Sequence, residues 1–93
     1  MSNLYSKKEE KYLYKQVLKN KKESVDSIVK KVYNKFDKIR PIRSYKAKLS
    51  NALYHLTGKG LPNRSKQQME LLDDLIDIHS EEYIANKLKS LFS

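Results

Sequence analysis

The chain contains no cysteine and no tryptophan, and only two glycines and two prolines among its 93 residues. Without cysteine there is neither a disulfide staple nor a thiolate metal site. So few turn formers cannot supply the closely spaced turns of an all-β domain. No apolar run approaches the ~20 residues of a membrane span. Residues 1–15 hold no apolar stretch of the secretory-signal kind. A chain of this length builds one core, not two. What is left is an all-α expectation: a single soluble, cytoplasmic helical domain over residues 1–93.

Charge is plentiful but uneven. One third of the residues are charged and the formal net charge is +9. Residues 1–48 hold 15 Lys/Arg against 5 Asp/Glu, and residues 49–93 hold 5 against 6. A basic half fits a polyanionic neighbour, either nucleic acid or an anionic membrane surface, and equally a plain solvated surface.

Apolar spacing places the helices. Val25, Ile28, Val29, Val32, Tyr33, Phe36 and Ile39 recur at intervals of three and four, the mark of one helix face. Asn20 with Glu23 offers a start for this segment, and Pro41, which disfavours helical geometry at Arg40, an end. Ile42, Tyr45, Leu49, Ala52, Leu53 and Leu56 mark the next face, with Gly58 at a left-handed C-cap. Residues 57–63 form the loop that takes both glycines and one proline. Ser65 with Gln68 reads as a capping box ahead of Met69, Leu72, Leu75, Ile76 and His79. Leu13, Tyr14, Val17 and Leu18 mark the first segment, whose polar stretch 6–11 is expected to fray or stay exposed. Ser80 fits as the cap of a last helix bearing Ile84, Leu88, Leu91 and Phe92, with one bent helix as the alternative. The expected helices are about 4–19, 21–39, 43–57, 65–79 and 81–92. Short links favour an antiparallel four-helix bundle with a short helical C-terminal extension. Val32, Phe36, Leu49, Leu53, Leu72 and Leu75 are its expected packed centre.

The residues that carry chemistry are sparse. His55 and His79 lie on separate segments, and Asp73, Asp74 and Asp77 have no Glu-x-x-His partner of the di-iron kind. His79 reads as a boundary histidine, and the aspartates as a solvated face. Gly58-Lys59-Gly60 follows a helix and lacks the phosphate-loop pattern. No catalytic, metal or cofactor residue is therefore expected, and no enzyme activity. Tyr14, Tyr33 and Tyr45 are expected at the core rim with solvated hydroxyls. Tyr5 and Tyr12, among lysines, can stack on bases or anchor at a membrane interface. No helix-turn-helix, zinc-finger or RNA-binding signature accompanies them.

Residues 24–38, SVDSIVKKVYNKFDK, resemble the second helix of the immunity proteins for pediocin-like (class IIa) bacteriocins, the enterocin A immunity type, centred on Val32, Tyr33 and Lys35. Residues 48–57, KLSNALYHLT, are similar to that family's third helix at Leu49, Asn51, Leu53 and Tyr54. Residues 66–78, KQQMELLDDLIDI, are similar to its fourth at Leu72, Leu75 and Ile78. The likeness covers roughly residues 20–79 and rests on helix lengths and a few identities. The first helix departs from the family, and the C-terminus is helical in pattern where many members carry a looser tail. The resemblance implies a small cytoplasmic four-helix bundle that protects a bacterium from a pore-forming peptide. It implies action at the membrane-embedded components of the mannose phosphotransferase permease, with bacteriocin bound, and specificity set by the C-terminal half.

On that basis the expected partner-binding surface is Tyr83, Ile84, Lys87, Leu88 and Phe92. Lys59, Asn63 and Arg64 on the loop form a second surface, since loops on a rigid scaffold often carry recognition. The opposing reading is that Ile84, Leu88, Leu91 and Phe92 cap the open end of the bundle. Rival functions are a small basic nucleic-acid-binding regulator and a helical adaptor. Nucleic acid is not among the partners the immunity reading expects.

Overall fold

A computed structural model describes residues 6–20, 22–58 and 65–92. Five helices follow one another: α1 (Lys7–Lys19), α2 (Val25–Lys35), α3 (Ile42–Thr57), α4 (Lys66–His79) and α5 (Glu81–Phe92), with no strand among the described residues. None of them is long and apolar enough to cross a membrane.

Most helix boundaries have local causes. Ser6 caps α1 by accepting from the Glu9 N–H at 3.1 Å, and the Glu9 carboxylate accepts from the Ser6 N–H at 3.0 Å. This reciprocal box satisfies two orphan donors at once. Ser24, not Asn20, caps α2 through the Ser27 N–H. Asn20 instead accepts from the Glu23 N–H at 2.7 Å and donates to the Glu23 carbonyl. The α2 helix stops at Lys35, short of the expected Ile39. Asp37 and Lys38 adopt φ of 56° and 58°, and the Lys38 N–H donates back to the Tyr33 carbonyl at 2.9 Å. That Schellman closure satisfies the last carbonyls before Pro41 can act, and Ile39 is left 62% exposed. Gly58, at φ 78°, ends α3 as its spacing foretold. Ser80 breaks the chain between α4 and α5 with φ 114°, and its hydroxyl accepts from the Tyr83 N–H, so these are two helices.

All five helices share the core, with α2 packed on α1 and α3. Of the six expected central residues, Val32, Leu49 and Leu72 are fully buried. Phe36, Leu53 and Leu75 are half-buried against them. Leu13, Tyr14 and Val17 of α1, Ile28 and Val29 of α2, Tyr45 and Ala52 of α3, Leu71 of α4, and Ile84, Leu88 and Leu91 of α5 complete the interior. The last helix therefore supplies core, and it rests on α3, α4 and α1.

Candidate functional site

The polar start of α1 does not fray. Glu9 and Glu10 are 1% and 0% exposed and sit at the centre of a hydrogen-bonded cluster. Arg40, in the link before α3, donates to both Glu9 oxygens at 2.8 and 3.0 Å, a two-point charge-assisted contact. The buried Tyr45 hydroxyl donates to Glu9 at 2.8 Å. Burial alone would raise the Glu9 carboxyl. The hydrogen bonds from Arg40, the Ser6 backbone and Tyr45, with the Arg40 charge, outweigh it and hold the group at about 2, below its ordinary 4.5.

Glu10 serves the neighbouring contacts. It accepts from the Tyr14 hydroxyl at 2.5 Å and from the Gln67 amide at 2.9 Å. Gln68 donates to the Tyr14 oxygen and to the Lys48 carbonyl. Burial pushes the Lys48 ammonium down, the Glu10 charge opposes this, and Arg40 adds to it. Tyr14 and Tyr45 were expected at the rim with wet hydroxyls; both are buried, and both hydroxyls bind carboxylates. Gln68 likewise departs from the expected box. Ser65 does cap α4 by accepting from the Gln68 N–H, but the Gln68 side chain reaches inward to α1 and α3. The cluster pins α1 to the α2–α3 link, α3 and α4.

A groove of about 800 Å³ opens between α1 and α4. Leu18, Leu71 and Leu75 line its apolar base, Lys11, Lys15 and Lys19 one wall, and Asp74, Asp77 and Ile78 the other. His79 also lines it and stacks on Tyr83, ring centres 5.4 Å apart. It is exposed, not set at the edge of the core.

The expected partner-binding residues of α5 divide. Ile84 and Leu88 are 2% and 1% exposed, so they hold α5 on the core and offer no atoms to a partner. Tyr83 and Phe92, at 42% and 40%, are open. Lys87 donates to the Asn20 carbonyl at the end of α1 at 2.8 Å, and its ammonium lies 5.6 Å from the Tyr83 ring centre. A cation there suits the negative end of the α1 dipole. Lys59, Asn63 and Arg64 lie outside the described residues.

Two features escaped the sequence reading. The capping-box spacing Ser6-x-x-Glu9 and the i, i+4 pair Glu10–Tyr14 both signalled an ordered α1 start. The lysine row at 11, 15 and 19 was visible, but not that it would face the acidic side of α4. Among the described residues no group of three or more His, Asp or Glu is placed to hold a metal ion. Comparison with family models, with curated proteins and with solved structures finds no match to this chain.

Proposed function

We propose that the protein is a bacteriocin immunity protein that protects its cell from a pore-forming peptide of the pediocin-like class. It acts without catalysis or cofactor, at the cytoplasmic face of the membrane-embedded mannose phosphotransferase components that the bacteriocin uses as receptor. The observation that carries this reading is that the three resembling stretches fall on three successive helices: 24–38 spans α2 and the turn after it, 48–57 the later part of α3, and 66–78 nearly all of α4. In this reading α1 to α4 correspond to the four helices of the resembled family, and α5, which shares their core, is an addition to it. The basic N-terminal half supports residence at an anionic inner leaflet. Tyr83 and Phe92 are the open aromatic groups of α5 through which a bacteriocin-loaded receptor is read.

The test is expression of the full chain in a strain sensitive to pediocin-like bacteriocins. The expected result is raised resistance to one or a few members of a panel, reduced by Tyr83→Ala or Phe92→Ala with the helical circular dichroism unchanged. Unchanged sensitivity to every member, with the folded protein accumulating, overturns the reading. Ending the chain at His79 is not a usable control, because it removes Ile84, Leu88 and Leu91 from the core.

A further inference from the structure

The walls of the α1–α4 groove carry opposite charge, and the difference extends along both helices. Lys7, Lys8, Lys11, Lys15 and Lys19 of α1 are all exposed, while its two acids are turned inward. On α4, Glu70, Asp73, Asp74 and Asp77 are exposed against a single exposed lysine, Lys66. None of the charges lining the groove joins the ion pairs of the described residues, which are Lys31–Glu23, Arg40–Glu9 and Lys46–Asp26. Between the walls lies an apolar floor, and on the acidic wall Ile78 stands 73% exposed.

We propose that this groove is the contact between two copies of the chain related by a two-fold axis, α1 of each protomer facing α4 of the other. A two-fold contact requires a surface that is its own complement. Here the lysine wall of one copy meets the aspartate wall of the other, and the same pairing recurs on the far side of the axis. The protruding Ile78 of each copy fills the floor formed by Leu18 and Leu75 of its mate. An anionic lipid surface would satisfy the lysine wall but be repelled by Asp74 and Asp77. The net charge of +9 opposes approach at long range. At physiological ionic strength the screening length is about 8 Å, so distant repulsion fades while contact pairs persist. A contact between single helix pairs falls in the weak class, below about 1,200 Å² of buried surface. This proposal stands independently of the immunity reading.

The experiment is sedimentation equilibrium of the full chain in 0.15 M salt, at concentrations up to about 1 mM to suit a weak contact. The wild-type mass should rise toward that of a dimer. Lys11→Glu with Lys15→Glu, and separately Asp74→Lys with Asp77→Lys, should each give a monomer with unchanged helical circular dichroism. An equimolar mixture of the two variants should recover the dimer mass, because every acidic wall then faces a lysine wall. The lysine variant is the sharper of the two. It lowers the net charge, so simple repulsion between protomers would make it associate more, whereas wall-to-wall pairing makes it associate less. Ile78→Asp should also weaken the dimer. A wild type that stays monomeric throughout overturns the proposal, and so does a mixture that shows no recovery. Binding of the monomeric wild type to phosphatidylglycerol vesicles through Lys11 and Lys15 would identify lipid as the occupant instead.

Discussion

The two ends of α1 are buried by opposite means. At its C-terminal end Leu13 and Val17 join Leu72, Ile84 and Leu88 in an apolar interior. At its N-terminal end Glu9 and Glu10 are equally inaccessible, yet they are held by Arg40, Tyr45, Tyr14 and Gln67. Apolar burial is non-directional and tolerates exchange of similar shapes. A buried carboxylate has no such latitude, since loss of one partner strands the others away from water. The polar end therefore fixes how α1 meets α3 and α4, and the apolar end supplies the bulk of the burial.

The sharpest way to break this contrast is at Glu9. Glu9→Ala leaves Arg40 and the buried Tyr45 hydroxyl without their acceptor and should cost about 3–5 kcal/mol in urea unfolding. Acid reports on the same group. Its folded-state value lies below the ordinary one, so its contribution is complete above about pH 4.5 and is lost as the pH falls toward 2. The stability gap between the wild type and Glu9→Gln should accordingly shrink from pH 5 to pH 2. A gap independent of pH would show that the carboxylate is not held by charge.

The apolar end is probed by Leu88→Ala. With Leu88 1% exposed, the transfer and cavity effects together should cost about 2–5 kcal/mol, and the loss should not vary over the same acid range. A loss near zero would mean that α5 does not share the core. The smallest effect is expected outside both regions. Lys31 and Glu23 form an exposed pair on α2 and its approach. Lys31→Ala should change stability by no more than about 0.5 kcal/mol, against the several lost at Glu9. A change above 2 kcal/mol would dissolve the distinction between exposed and buried pairs.

Helix number and order were legible because burying one stripe of an isolated helix requires a 3.6-residue apolar period, and that period is written locally. Ser65, Gly58 and Ser80 marked boundaries for the same local reason: a cap acts within three or four residues of itself. The α2 end was misjudged at Ile39 because the turn at Asp37 and Lys38 carries no glycine to announce it. On α5 the stripe 84, 88, 91 was visible, but a stripe does not say whether it meets a core or a partner, and Ile84 and Leu88 turned out to meet the core.

The amino-acid sequence by itself determined five amphipathic segments, the boundaries at Gly58, Ser65 and Ser80, and a charge split between the two halves of the chain. Tertiary structure alone decided that two glutamates in a polar run would be buried, since Arg40 lies 31 positions from Glu9 and Gln67 lies 57 from Glu10. It also decided that the lysines of α1 would border the aspartates of α4. Periodicity and capping are properties of neighbours along the chain, whereas charge partners and groove walls are properties of neighbours in space. Only packing brings the second kind together.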